Sequence, residues 1–175
     1  MRVLAQRSAA WYGQVAADHY VPLAAGQMGA VRLVSDIVGQ CYASGVPDMD
    51  LSHAFAMAFT GVTVSGAGGA IWLRHLENAI GSSKGTVLTK TALDYLCWAP
   101  TVNAANLFLV PILQGCGVDA AVVNMETGFI SLMVLELAIF GPYNLLGFGL
   151  IAPNLRPTVK AVLSFAFSIS LSIHC

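Results

Sequence analysis

The stretch Ala54–Leu73, AFAMAFTGVTVSGAGGAIWL, contains no Asp, Glu, Lys, Arg or His. At about 1.5 Å of rise per residue, a helix of this length matches the roughly 30 Å hydrocarbon core of a bilayer. The sequence around it has the same character. Hydrophobic residues make up 57% of the 175-residue chain and charged residues 10%, and the mean hydropathy is +0.72. Soluble domains carry about 25% charged side chains. The chain therefore reads as an integral membrane protein. Inside lipid every backbone polar group must be satisfied within its own segment, which leaves helices or a closed barrel. Barrel strands alternate apolar and polar residues, whereas runs such as 129–140, FISLMVLELAIF, are apolar on both parities. The expectation is an all-α helical bundle with four or five transmembrane helices. It forms one domain over 1–175, preceded by a basic N-terminal segment at 1–18.

The spans expected are Val21–Cys41, Ala54–Leu73, Val87–Leu113 and Thr127–Ala152, with a shorter last run at Ala161–Ile173. Pro100 and Pro111 should kink or end the third. Gly141 and Pro142 mark a break in the fourth, and QGCGVDAAVVNME before it reads as a loop. Arg2, Arg7, Arg74, Lys84, Arg156 and Lys160 fall at the N-terminus, the second connection and the end of the fourth span. That pattern fits four spans with the N-terminus on the positive side. The N-terminal MRVLAQRSAAWYGQVAA has no acid before Asp18 and reads as a weak mitochondrial targeting region or a juxtamembrane basic segment.

A formal charge of −1 provides no basic patch for nucleic acid. The four cysteines lack CxxC spacing, and the four histidines pair with none of them, so no metal site is expected. No cofactor is indicated. No nucleophile, base and orienting group occur together, and no enzyme is expected.

Ionisable residues within a membrane are functional candidates by default. Arg32 and Asp36 lie four residues apart, as do Lys90 and Asp94, so each pair can close across one helical turn. Such pairs can also be purely structural. Glu136 has no partner in its own stretch. In the second span Gly61, Ser65 and Gly69 recur every fourth residue, as do Gly66 and Ala70. This spacing suits close helix packing, with the lining of a narrow pore as the alternative.

These residues in this order resemble the Mpv-seventeen and peroxisomal-membrane-protein family of small mitochondrial and peroxisomal proteins. The family opens with Trp-Tyr, His-Pro and Gly-Asp-x-x-x-Gln; here stand Trp11, Tyr12, His19 and Ser35-Asp36-x-x-x-Gln40, with Tyr20 in place of the proline. In the second span His53 replaces the family's Arg, Gly61 matches, Gly66-Ala67 stands for Gly-Pro and Trp72-Leu73 for Trp-Tyr. Lys90, Asp94 and Pro100 match the third-helix motif, with Tyr95 in place of its Gln. Phe140, Asn144, Gly147, Phe148 and Arg156 fall in register with the C-terminal signature, Leu171-Ser172 matches its end, and Pro142 and Pro153 are displaced by one residue. The resemblance adds Asn144 and Arg156 to the intramembrane polar set. It implies an all-helical bundle in the mitochondrial inner or the peroxisomal membrane. It also implies weakly selective channel activity or metabolite passage, and no enzymatic activity.

Two roles follow. The one favoured by the degraded motifs and the retained packing pattern is an accessory subunit of a larger, respiratory-type complex, with other membrane subunits as partners. The other is a small-solute channel, alone or as a homo-oligomer, lined by Arg32, Asp36, Lys90, Asp94 and Glu136.

Overall fold

The computed structural model describes residues 11–44, 49–81 and 83–174. The basic positions Arg2 and Arg7, Asp48 in the first connection and Cys175 lie outside them. After a helical segment at 11–18 come five helices, with no strand among the described residues. They are α1 (Tyr20–Ser44), α2 (Leu51–Ile80), α3 (Val87–Leu113), α4 (Val118–Leu150) and α5 (Arg156–His174).

Helices α2, α3 and α4 are long and apolar enough to cross a membrane. Helix α1, with 25 residues, and α5, with 19, span about 37 and 28 Å at 1.5 Å per residue. Both are of crossing length, and both carry a polar inner stripe that lowers their hydropathy. The chain closes into a ring: α1 packs against α5 and α2, α2 against α3, α3 against α4, and α4 against α5. Large apolar side chains point outward, among them Phe55, Phe59, Ile71, Leu88, Ile130, Val134 and Val162. A set of charged and amide side chains points inward, among them Arg32, Asp36, Lys90, Asp94, Asn106 and Glu136. Lipid outside and polar groups inside reverse the soluble arrangement, and the reversal follows from the solvent.

Helix α3 has the expected bounds, whereas α1, α2 and α5 outrun theirs at both ends and α4 at its start. Asp50 caps α2 by accepting a hydrogen bond from the His53 backbone N–H at 3.1 Å. The same helix runs on to Ile80, so Arg74, His75 and Glu77 lie within it rather than in a loop. The connection between α3 and α4 is only Gln114–Gly117, turned by Gly115 and Gly117 at φ +81° and +86°. Asp119 to Glu126 are therefore the first turns of α4, not a loop.

Neither Pro100 nor Pro142 ends its helix, and α3 stops two residues past Pro111. Helix α4 passes through Pro142 without interruption. In α3, Pro100 follows a π-helical turn at Asp94–Trp98, and the helix continues past it and past Pro111 to Leu113. A wider turn accommodates a residue that can neither donate to nor fit against the preceding turn. A second π-helical segment, Gly61–Gly68, occupies the middle of α2.

This segment is where α2 comes closest to α1. A Cβ on Gly66 would lie 2.7 Å from the Ala25 Cα, and one on Gly61 would lie 2.9 Å from the Arg32 Cδ. Ala70 is buried with Tyr20 and Ala24. Gly69 meets only the Trp98 ring, at an ordinary 3.8 Å. Ser65 lines the interior cavity, beside Met28 of α1 and Trp98 of α3.

Candidate functional site

All seven polar positions read from the sequence are buried: Arg32, Asp36, Lys90, Asp94, Glu136, Asn144 and Arg156 are each 5% exposed or less. With Glu77 and Lys160 they form a column along the ring's axis, to which every helix contributes.

At one end lies Asp36. His53 Nδ1 is 2.7 Å from its Oδ1, and Gln40 donates to its Oδ2 at 2.6 Å. Gln40 also receives the Asp50 backbone N–H at 2.7 Å, which ties the end of α1 to the start of α2. One turn further in, the Arg32 guanidinium donates to Asn106 Oδ1 at 2.8 Å and to Thr60 Oγ1 at 3.3 Å, joining α1 to α3 and α2.

The far end is built around two acids. Asp94 accepts from Trp72 Nε1 at 2.9 Å and from Asn144 Nδ2 at 2.6 Å, and lies 3.5 Å from Lys160 Nζ. The π-helical turn that starts at Asp94 also brings Trp98 onto Trp72, with ring centroids 5.8 Å apart. Glu77 receives Lys90 Nζ at 2.6 Å and is ion-paired with Arg156. The remaining guanidinium nitrogens of Arg156 donate to Ile151 O at 3.0 Å and Phe148 O at 3.2 Å. They satisfy carbonyls at the C-terminus of α4, where a cation is favoured by the helix dipole. The same guanidinium lies over the Phe148 ring at 5.1 Å.

The pairing thus departs from the expected one. Lys90 does not close on Asp94 within α3. It crosses to Glu77 on α2, while Asp94 takes its cation from α5. In a ring of antiparallel helices an inward side chain faces its neighbours across the axis, and those contacts displace the i, i+4 pair.

Between the two ends lies a cavity of about 30 Å³, lined by Arg32, Ser65, Asn103, Glu136, Lys160 and Ser164 among others. That is room for a water molecule, since about 10–15 Å³ suffices for one. Buried here without a hydrogen-bond partner are Ser65 Oγ and Asn103 Oδ1. Among the described residues, Glu136 is the buried acid with no ion pair within 4.0 Å. Besides His53, the interior holds four cationic side chains (Arg32, Lys90, Arg156 and Lys160) and four acidic ones (Asp36, Glu77, Asp94 and Glu136).

Sequence reasoning missed Glu77, Lys160, Asn103 and Asn106 as site residues, and the spacing held a signal for two of them. Gly66, Ala70, Leu73 and Glu77 follow one helical stripe, so the packed face of α2 leads to the acid. Arg156, Lys160, Ser164 and Ser168 recur every fourth residue, a polar stripe on an otherwise apolar helix. Among the described residues no cluster of His, Cys, Asp and Glu could hold a metal ion.

No family model matches the chain, and no solved structure matches it at a significant level. A curated protein does match: the mitochondrial inner membrane protein Mpv17 of Caenorhabditis elegans, 26% identical over 103 residues. The match covers 58% of this chain and 57% of that relative. Residues carrying the resemblance read from the sequence, including Asp36, Gln40, Lys90, Asp94, Asn144, Phe148 and Arg156, are the ones that meet inside the ring. The match supports the relationship to the Mpv17 family that those motifs indicate.

Proposed function

We propose that this chain is a non-enzymatic permeation protein of the mitochondrial inner membrane, whose polar column is a closed path for small hydrophilic cargo. One observation carries this reading: paired charges line the axis of the ring and continue into a cavity that Arg32, Glu136 and Lys160 share with apolar side chains, while large apolar residues face outward. A subunit serving only to pack has little use for such an interior. Replacing a buried ion pair with apolar residues of similar volume is often neutral or stabilising, because desolvation offsets the Coulomb gain. Polar walls and charged rings, in contrast, are the usual lining of a path through a membrane. The inner-membrane location rests on the Mpv17 relative.

Reconstitution of the purified chain into sealed vesicles tests the reading. Release of a small trapped solute above that of empty vesicles is the expected result, and tight vesicles would overturn it. The accessory-subunit reading has one observation in its favour: three of the four inner acids are already held by cationic or His partners, which suits a rigid scaffold. Comigration with a large complex at fixed stoichiometry on native gels of mildly solubilised membranes would support that role instead.

A further inference from the structure

Glu136 differs from the other acids of the column. Asp36, Glu77 and Asp94 each have a cation or a histidine within 4.0 Å. Glu136 is 4% exposed and has none among the described residues. The charged groups that act on it are Lys160 from α5, Asp94 from α3 and Arg32 from α1, and Asn103 of α3 shares the cavity wall with it. From α2 it faces Ser65 across the cavity, in a segment without an ionisable residue.

The surroundings satisfy both forms of the carboxyl. As a carboxylate it is balanced by the neighbouring cations and can accept from a water in the cavity. As a carboxylic acid it gains an O–H donor, and the cavity holds two buried oxygens that lack a partner, Asn103 Oδ1 and Ser65 Oγ. Acceptors without donors call for water or for an acid proton, since a buried polar atom left unpaired costs about 1–3 kcal/mol. The cavity admits a water and nothing much larger.

We propose that Glu136 and this cavity form an intramembrane proton-binding site with a resident water, and that protons are a cargo of the column. The second part rests on the permeation reading; the first does not. A hydronium ion transfers its proton to the Glu136 carboxylate and leaves a neutral water. The carboxylic acid later returns the proton to a water on the other side, with no change in oxidation state.

Infrared difference spectra between acidic and alkaline buffer, recorded on the full chain in lipid vesicles, test the site. A protonated-carboxyl C=O band in the unmodified protein that is lost in Glu136→Gln is the expected result. The same band in both proteins would overturn the site. Should Glu136→Gln fail to fold, Asn103→Leu keeps the acid but removes its acceptor. It should shift the pH midpoint of the band, and an unmoved midpoint would overturn the site.

Proton uptake into the same vesicles, driven by a potassium diffusion potential and read with a trapped pH dye, tests the cargo. Loss of most of the uptake in Glu136→Gln supports it. Solute release that persists beside a proton flux indifferent to Glu136→Gln would overturn the proton cargo and leave permeation standing. Vesicles tight to both protons and solutes would overturn the cargo and permeation together, while the infrared band still decides the site.

Discussion

Lys90 on α3 lies 2.6 Å from Glu77 on α2, and Asp94, one turn along from Lys90, instead lies 3.5 Å from Lys160 on α5. The two acids are thus staples between helices, and their cations come from different directions. Lys90 is 1% exposed, and besides this contact its ammonium lies over the Phe148 ring of α4 at 5.8 Å.

Replacing Glu77 with Gln leaves Lys90 and Arg156 without their shared acid. Breaking a buried pair from one side typically costs about 3–5 kcal/mol. A clear drop in the thermal midpoint of the detergent-solubilised protein is expected, and an unchanged midpoint would show that the contact contributes little.

Asp94 can be assigned its partner by a double-mutant cycle. Asp94→Asn and Lys160→Met should be strongly non-additive in unfolding free energy, since they remove the two sides of one contact. Asp94→Asn and Lys90→Met should be closer to additive, because Lys90 answers to Glu77. Larger coupling to Lys90 than to Lys160 would reverse the assignment.

The two glycines at adjoining turns of α2 should respond differently to alanine. Gly66→Ala places a methyl 2.7 Å from the Ala25 backbone, and overpacking of this kind costs about 1–3 kcal/mol. Gly69→Ala meets only Trp98 at 3.8 Å and should be tolerated. Thermal melts of the two variants side by side check this; equal losses would mean that α1 does not pack as described.

The helical character of the fold was legible because lipid imposes it: apolar runs on both parities leave helices as the available structure. Helix ends were less legible. A membrane helix extends past its apolar core wherever polar residues find partners, as Glu77 does with Lys90 and Arg156. Pro142 misled for a related reason, since a helix packed among others tolerates a proline that a lone helix would not. In the site, Glu136 stood out in the sequence as the charge without a partner in its own stretch, and it is the one acid of the column left without an ion pair among the described residues. The pairing of the others was hidden, because the sequence displays neighbours along a helix and the ring brings together neighbours across its axis.

Accessibility of Ser65 tests the central claim most directly, because this residue lines the cavity midway along the column. In a background with all four cysteines replaced by serine, Ser65→Cys is reconstituted and treated with a small, charged, thiol-specific reagent. Because the closed cavity holds little more than a water, the expected result is that the reagent reaches this cysteine from the aqueous phase when the path opens for solute, and then blocks release. A cysteine that stays unmodified, or release that continues after modification, would contradict the polar column as the path.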